Sequence, residues 1–294
     1  MSNFDTVIFT AASDNGNAMT DTGYTESSMM VTRHPIPITT RAPGGETNAY
    51  VVGDRPAALI DPAGRTDELD RAVEERGVEH ILVTHTHPDH VGAVAAYADD
   101  LDATVWARHG RDPQFPEAAS IDPDATFTPG STIALGGGRL EILETPGHAT
   151  DHVSFCLQPG GSIVVGDCAV AEGSVVVGAP DGDMRAYLTS LRRLHAMAPP
   201  RLYPGHGPVI DAPRATLERL IDHRLQRERR VLEAVQDGAR ATDSILEAAY
   251  DVDLSRVRDL ARATVVAHLE KLAVEGELVW DGERVQAITP AADD

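Results

Sequence analysis

The sequence predicts an α/β sandwich followed by a small helical unit. Short apolar segments with strand character, such as Ala57–Ile60, alternate with longer segments of helical periodicity, such as Met184–Met197. After Asp237-Gly238 the pattern changes to closely spaced helices and one hairpin. The chain has 294 residues, of which 42% are hydrophobic, so it can form one large domain and one small one.

Residues 1–29 differ in composition from the rest, being rich in Ser, Thr, Asn, Asp and Gly. We expect a flexible extension, or sequence upstream of a true start at Met29 or Met30. A short strand at Asp5–Thr10 is the competing interpretation. The segment lacks the basic start and apolar centre of a signal peptide. No apolar run approaches the roughly 18 residues that a membrane span needs. We therefore expect a cytoplasmic protein without a membrane partner.

Residues 30–238 carry the elements expected of the main domain. The predicted strands are Thr47–Val52, Ala57–Ile60, His80–Thr84, Thr104–Ala107, Arg139–Glu144, His152–Leu157, Ser162–Gly166 and Arg201–Tyr203. The predicted helices are Thr66–Arg76, Val91–Ala98, Met184–Met197 and Arg214–Asp237. Neighbouring strands with helices between them are typical of a sandwich in which helices cover the sheets.

Residues 239–294 form the predicted second domain. Its elements are three helices and a hairpin, namely Thr242–Tyr250, Ser255–Asp259, Ala261–Glu275 and the strands Leu278–Trp280 and Arg284–Ile288. This is the outline of a winged helix, whose last helix reads DNA in many proteins. Here that helix offsets its basic residues with Glu270 and Glu275. We therefore expect it to pack, to cover a substrate or to form a dimer rather than to read DNA.

The charge balance narrows the function classes. The 25 basic and 46 acidic residues give a net charge of −21, which disfavours a nucleic-acid binder that relies on a basic patch. Lys271 is the sole lysine, and the other basic residues are arginines. This composition resembles that of cytosolic proteins from extreme halophiles; an acidic protein from an Arg-biased genome is the alternative. In 1 M salt the Debye length is about 3 Å, so the charge argues only weakly against RNA. Only two cysteines are present, which excludes a disulfide scaffold.

A cluster of potential metal ligands directly follows a predicted buried strand. The segment Thr84-His85-Thr86-His87-Pro88-Asp89-His90 offers three imidazoles and one carboxylate. These are the ligands that suit zinc and similar divalent ions. Alternation along an extended loop places His85 and His87 on one side. Asp89 and His90 follow at the start of a helix and can bind a second ion.

Three further potential ligands follow later strands, each in a turn that contains glycine. They are His148 in Pro146-Gly147-His148, Asp167 in Gly166-Asp167 and His206 in Pro204-Gly205-His206-Gly207. Such turns let the backbone bring a side chain close to a shared centre. Together with the first cluster they supply seven ligands, enough for two ions.

These motifs, in this order, resemble the metallo-β-lactamase superfamily. The resemblance implies an αββα sandwich with the metal ions at one edge of its two sheets. Further similarity in Arg185–Leu194, Ile221–Arg224 and Arg227-Glu228 points to the β-lactamase-like protein 2 branch, which also carries a small winged-helix tail, and to its relatives of the glyoxalase II type.

The resemblance assigns a role to each ligand. It implies that the first metal ion is held by His85, His87 and His148. It implies that the second is held by Asp89, His90 and His206, with Asp167 bridging the two. Asp89 and Asp167 are the predicted catalytic residues. The expected cofactor is a pair of divalent ions, zinc first, with Mn²⁺ or Fe²⁺ as alternatives.

Three other residues are expected near the site. Asp61, in Ile60-Asp61-Pro62-Ala63-Gly64, matches a family motif in which the aspartate supports the histidine loop; a plain Asx-turn is the alternative. His152 either donates a hydrogen bond to the substrate, orients a neighbour or is a structural histidine. His223 is expected to pack between helices or to support the site rather than to catalyse.

The leading functional prediction is a two-metal hydrolase. A hydroxide that bridges the ions would attack an ester, thioester or lactone-like bond in a small molecule, without a covalent intermediate. The alternative, implied by the branch resemblance, is cleavage of single-stranded RNA at the same site. A third, weaker hypothesis is a regulator that uses the winged helix without catalysis. The family also makes a homodimer plausible.

Overall fold

Two β-sheets pack face to face in the computed structural model, which describes residues 29–288. Within these residues one sheet has the strand order β1-β2-β3-β4-β5-β6 and the other β11-β10-β9-β8-β7. The strands of the first sheet are β1 (Val31–Pro37), β2 (Glu46–Gly53), β3 (Ala57–Ile60), β4 (Val78–Leu82), β5 (Thr104–Arg108) and β6 (Ala125–Phe127). Those of the second are β7 (Thr132–Leu135), β8 (Gly138–Glu144), β9 (Val153–Gln158), β10 (Ile163–Gly166) and β11 (Leu202–Pro204).

Helices lie on the outer faces of the two sheets and in the C-terminal part of the chain. They are α1 (Asp67–Arg76), α2 (Pro88–Val91), α3 (Val94–Leu101), α4 (Phe115–Ala119), α5 (Met184–Met197), α6 (Pro213–Gln236), α7 (Thr242–Ala249) and α8 (Arg258–Val274). Helices α1, α3 and α4 share one apolar cluster with the first sheet, and α5 and α6 share another with the second. A third cluster fills the space between the sheets. The expected α/β sandwich, with helices on both outer faces, is confirmed.

The strand β2 illustrates why these sequences form central strands. Seven of its eight residues are buried, since both faces of the sheet are covered. Its side chains alternate between two apolar clusters, with Ala49 and Val51 against the helices and Tyr50 and Val52 between the sheets. This period of two is the one that a strand requires.

Capping residues set the ends of the helices near the site. Thr66 accepts a hydrogen bond from the backbone N–H of Leu69 at the start of α1, and Gly77 ends that helix in the left-handed conformation, with φ of 61°. Asp183 caps α5 by accepting from the N–H groups of Arg185 and Ala186. The predicted bounds of α5 coincide with the observed ones.

Two predicted elements near the histidine loop differ from the structure. The strand predicted at His80–Thr84 is β4, which ends at Leu82, so Val83 and Thr84 belong to the loop. The helix predicted at Val91–Ala98 is divided into α2 and α3 near Gly92. A Cβ atom there would lie 2.4 Å from the carbonyl oxygen of Ala63, so the chain passes too close to Ala63 for a larger residue. The strands β1, β6 and β7 were not predicted.

The C-terminal elements pack around the end of α6. The helix predicted at Ser255–Asp259 is wrong as a separate element, because α8 begins at Arg258. A fourth apolar cluster joins α7, α8 and the hairpin strands β12 (Leu278–Trp280) and β13 (Val285–Ala287) to Val231 and Val235 of α6. The third helix of this unit is therefore the end of α6.

The N-terminal prediction lies mostly outside the described residues, including the strand considered at Asp5–Thr10. Met29, the first described residue, is buried in the cluster between the sheets. Among the helices of residues 29–288, none combines the length and the apolar character that a membrane crossing requires.

Candidate metal centre

Five of the seven predicted ligands lie in loops that follow strands, and the other two, Asp89 and His90, lie in the short helix α2 that begins within the segment after β4. The histidine loop, residues 84–90, follows β4, and the other three loops follow β8, β10 and β11. These strands come from both sheets, so the loops meet at one edge of the sandwich. The last of them, around His206, is held by Asn48 of β2, whose side chain donates to the carbonyl oxygens of Pro204 and Gly207 at 2.9 and 2.8 Å.

One group of ligand atoms consists of three imidazole nitrogens. Nδ1 of His87 lies 2.9 Å from Nε2 of His85 and 3.0 Å from Nε2 of His148. The three atoms lie within 4.8 Å of one another. Three histidine nitrogens converging in this way are a common ligand set for a divalent ion.

A second group combines Asp89, His90 and His206, whose ligand atoms also lie within 4.8 Å of one another. Nε2 of His206 lies 3.7 Å from Oδ2 of Asp89. Thr40 donates a hydrogen bond of 2.6 Å to the same carboxylate oxygen and orients it. The group is therefore built from the histidine loop and from the turn after β11.

Asp167 lies between the two groups. Its Oδ2 atom is 3.5 Å from Nε2 of His148 and 3.4 Å from Nε2 of His206. Its Oδ1 atom is 3.6 Å from Nε2 of His90. The carboxylate thus faces one histidine of the first group and both histidines of the second.

The unsatisfied atoms at this centre fit a pair of metal ions. Among the described residues, Nε2 of His90 and Oδ1 of Asp167 are buried and have no hydrogen-bond partner. Burying a polar atom without a partner costs free energy, and an ion or a water molecule removes that cost. Imidazoles and carboxylates are the donors that zinc and similar ions take. The residues present therefore fit a binuclear site.

Each of the five histidines keeps its other ring nitrogen on an acceptor within the protein. Nδ1 of His148 donates to the carbonyl oxygen of Val176, and Nδ1 of His206 to that of Glu46, both at 2.7 Å. Because a carbonyl oxygen only accepts, the proton lies on Nδ1, and the lone pair of Nε2 points to the centre. Nε2 of His87 bonds the carboxylate of Asp181 at 2.9 Å, which leaves Nδ1 facing the centre.

Asp61 holds the histidine loop from behind. Its carboxylate accepts hydrogen bonds from the N–H and hydroxyl groups of Thr84 at 2.6 and 2.8 Å, and it lies 3.0 Å from Nδ1 of His90. The Thr84 hydroxyl, having donated to Asp61, is free to accept from Nδ1 of His85 at 3.0 Å. Asp61 therefore contacts the ligands from outside and orients two of them.

His152 is enclosed beneath Asp167. Its Nε2 atom accepts from the backbone N–H of Asp167 at 3.1 Å, and its Nδ1 atom donates to the hydroxyl of Thr145 at 3.0 Å. Burial lowers the pKa of His152 to about 3, so the ring stays neutral. Both ring nitrogens of His152 therefore have partners within the protein.

His223 lies on α6, away from the ligand groups. Among the described residues no hydrogen bond joins it to any of the seven predicted ligands. Burial, together with the charges of Arg224, Arg227 and Arg219, lowers its pKa to about 3. The structure therefore places His223 among helix arginines and not in the metal centre.

Two contacts of the histidine loop were not predicted from the sequence. Asp181 bonds His87, and Asp151 accepts from the N–H and hydroxyl groups of Thr86 at 2.9 and 2.7 Å. Asp181 lies 94 residues from His87 in a loop without ligand-like spacing, so no pattern in the sequence indicates it. Asp151 is three residues after His148, and this proximity in sequence is only a weak indication that it lies near the site.

The charges at the centre are strongly coupled. Burial acts to raise the pKa of Asp167, but the neighbouring His206 and His90 outweigh it and hold this pKa well below the usual range. Burial acts to lower the pKa of His206, but the charge of Asp167 raises it to about 9. Burial keeps the pKa of His85 well below its ordinary value. The first group therefore includes a neutral imidazole, the form that binds a metal.

Known proteins are similar to this chain in sequence and in fold. The family model of the metallo-beta-lactamase superfamily matches residues 42–206. A beta-lactamase-like protein 2 homolog from Drosophila melanogaster is 30% identical over 254 residues, covering 79% of this chain and 84% of the relative. The atrochrysone carboxyl ACP thioesterase from Aspergillus fumigatus is 29% identical over 202 residues, covering 65% of this chain and 60% of the relative. The crystal structure of a metallo-beta-lactamase family protein from Thermus thermophilus covers 88% of this chain and 98% of its own, with a TM-score of 0.71 and 25% identity.

The fold and the ligand groups define a metal-dependent hydrolase. The chain belongs to the metallo-β-lactamase superfamily. Within it, the chain is a binuclear metallo-hydrolase, since the two ligand groups and Asp167 supply donors for two ions.

Proposed function

We propose that this enzyme hydrolyses a thioester or a related ester or lactone bond in a small molecule. The observation that carries the proposal is the position of Asp167, whose carboxylate faces both ligand groups at 3.4–3.6 Å. Similarity to a protein named as a thioesterase supports the bond class. A carbonyl electrophile is common to thioesters, esters and lactones, so one site can serve all three.

His85, His87 and His148 would hold the first ion, Asp89, His90 and His206 the second, and Asp167 both. When bound, a pair of divalent ions, zinc in this proposal, would lower the pKa of water so that a hydroxide nucleophile is available at neutral pH, and would polarise the scissile carbonyl. The side chains hold their donor atoms in place before binding. Carbonyl oxygens fix the rings of His148 and His206, and His152 fixes the backbone of Asp167.

No side-chain nucleophile is required. Cys168 follows Asp167 directly, but it is 1% exposed. Burial, with the charge of Asp167, raises its pKa to about 12. Its thiol therefore stays protonated at neutral pH, whereas a cysteine nucleophile needs the thiolate. We assign Cys168 to the core and propose hydrolysis without a covalent intermediate.

Single-stranded RNA is the alternative substrate. The net charge of −21 and the aromatic content of 4% weigh against it, because single-strand binding uses basic grooves and aromatic stacking. The hypothesis of a non-catalytic regulator is weaker still, since a regulator has no need of seven converging ligands.

The C-terminal unit, residues 239–294 in the sequence-based division, is proposed to be a winged-helix-like domain that covers one side of the site. Two contacts support this. Arg41, next to the Thr40 that orients Asp89, forms an ion pair with Asp259 of α8 at 2.5 Å. A Cβ atom at Gly178 would lie 2.8 Å from Cβ of Ala263, so the loop before α5 packs closely on α8.

The test is a substrate screen with the zinc-loaded chain. Acyl thioesters, lactones and single-stranded RNA are compared, and each is repeated with Asp167→Asn and with Cys168→Ala as the matched control one residue away. We expect thioester hydrolysis that Asp167→Asn lowers by about 10²–10³-fold, the range for loss of one preorganised electrostatic group. Cys168→Ala should retain turnover within a few-fold. Cleavage of RNA with no thioesterase activity would overturn the proposal, as would full activity of Asp167→Asn.

A further inference from the structure

One loop supplies the outer contacts of two ligands in the first group. We name residues 173–183 the support loop. Its Val176 carbonyl accepts from Nδ1 of His148, and its Asp181 carboxylate bonds Nε2 of His87. In the second group, by contrast, His206 is held by the carbonyl of Glu46 in β2. The geometry of the first group therefore depends on where the support loop lies.

Arg224 of α6 holds the support loop from behind. Its Nη2 atom donates a hydrogen bond to the carbonyl oxygen of Val175, the residue before Val176. The two peptide units are joined through φ and ψ of Val176 alone, so anchoring the first limits the positions that the second can reach. Arg224 is 3% exposed, and its guanidinium lies 5.4 Å from the centre of the Tyr187 ring. The same tyrosine donates to the carbonyl of Cys168, next to Asp167.

Helix α8 and the turn before His148 hold the rest of the support loop. Gly178 lies against Ala263 of α8, as its close approach requires. The N–H of Gly182 bonds the carbonyl of Gly178 at 2.7 Å, and the N–H of Asp183 bonds that of Gly147 at 2.9 Å. The support loop is therefore fixed at several points along its length, and Arg224 provides the one beside the His148 contact.

The hydrogen bond from Arg224 to the carbonyl oxygen of Val175 indicates that this side chain does more than fill space. Burying a guanidinium costs free energy, and the Nε atom of Arg224 has no hydrogen-bond partner among the described residues. An apolar side chain would fill the same space without that cost. What an apolar side chain lacks is a donor that reaches the carbonyl of Val175.

We propose that Arg224 is a positioning residue for the first metal site, acting on His148 through Val175 and Val176. The proposal rests on the proposed two-metal function and adds a residue on α6 to it. It predicts a selective effect. Loss of Arg224 should weaken binding at His85, His87 and His148, and it should spare Asp89, His90 and His206, whose supports lie elsewhere.

The experiment measures Co²⁺ binding to the full-length chain by absorption titration. Arg224→Gln is compared with Arg227→Gln, a matched control. Arg227 is also buried on α6 and also donates to a backbone carbonyl, but that carbonyl belongs to Ala249 of α7. We expect Arg224→Gln to bind one of its two ions about 10–100-fold more weakly, the range for lost outer contacts of metal ligands. The Co²⁺ affinities of Arg227→Gln should stay within about threefold of those of the parent chain.

Arg224→Lys keeps a donor at this position, so its Co²⁺ affinity should lie between those of the parent chain and of Arg224→Gln. Far-ultraviolet circular dichroism, recorded before each titration, establishes whether the variant is folded. If Arg224→Gln does not fold, the Co²⁺ affinity of Arg224→Lys tests the positioning role instead. Equal weakening in the Arg224 and Arg227 variants, weakening of both ions, or parent-like binding by the Arg224 variants would each overturn the positioning role. A parent chain that binds no Co²⁺ would overturn the two-metal function as well.

Discussion

Nε2 of His87 lies 2.9 Å from Oδ2 of Asp181, across 94 residues of sequence. The contact fixes which nitrogen of His87 faces His85 and His148. Burial acts to lower the pKa of His87, and the hydrogen bond and charge of Asp181 more than offset it, so that the pKa is raised overall. A carboxylate that holds a histidine in this way also makes the ring a stronger ligand.

Asp181→Ala should therefore weaken metal binding by about 10–100-fold, because His87 loses the partner that orients it. Zinc affinity measured by competition with a chromogenic chelator checks this. Asp183→Ala is the matched control two residues away, since Asp183 caps α5 and contacts no predicted ligand. It should cost about 1 kcal/mol of unfolding free energy and leave zinc affinity unchanged. Equal zinc affinity in the two variants would show that Asp181 does not support the site.

The sole lysine of the chain, Lys271, lies where its substitution should lower the free energy of unfolding. Nζ of Lys271 on α8 lies 2.7 Å from Glu228 of α6 and 2.6 Å from Glu275, and the lysine is 8% exposed. Lys271→Met should lower the unfolding free energy by about 1–3 kcal/mol, because it leaves the partly buried Glu228 carboxylate with only His268 as a partner among the described residues. Urea denaturation measures the change. The double variant Lys271→Met/Glu228→Met should recover part of the loss, and a neutral single variant would refute the prediction.

His223 should make the chain less stable in acid. Its pKa is about 3 in the folded chain and about 6.5 when unfolded. Between these values the unfolded chain binds a proton that the folded chain does not, so this contribution to stability is lost as pH falls from about 6.5 towards 3. As pH falls over that range, the unfolding free energy of the parent should therefore decrease relative to that of His223→Gln. Urea titrations of both proteins at several pH values test this, and a pH-independent difference would contradict it.

Salt should stabilise the folded chain if the acidic composition has the halophilic character that we infer from it. With a net charge of −21, self-repulsion opposes compactness at low ionic strength. Raising KCl from 0.1 to 1 M shortens the Debye length from about 10 to about 3 Å. The thermal midpoint should rise by several degrees over this range, as followed by circular dichroism. An unchanged or lower midpoint would argue for an ordinary acidic protein from an Arg-biased genome.

The sequence was informative where chemistry and local pattern coincide. The ligand motifs could be found because each one follows a strand that has its own apolar signature, as His85 follows β4 and Asp167 follows β10. Helix α5 has the bounds that were predicted from its helical periodicity, and in the structure Asp183 caps its N-terminus.

The contacts behind the ligands could not be predicted, because they depend on tertiary structure. Asp181 reaches the first ligand group from a distant segment, and it stands in no motif with metal-ligand spacing. The division of one predicted helix into α2 and α3 arises from the close approach of Gly92 to Ala63, a contact between separate segments. His152 was ambiguous for the same reason, since only the fold shows that both of its nitrogens are occupied.

The most direct test of the binuclear centre is the metal content of the purified chain in molar KCl, determined by elemental analysis. His87→Ala removes a predicted ligand, and His109→Ala removes an exposed histidine remote in sequence from the ligand motifs. We predict about two ions per parent chain, the same number in His109→Ala and fewer in His87→Ala. One ion or none in a folded parent chain, or equal metal content in all three proteins, would contradict the two-metal account.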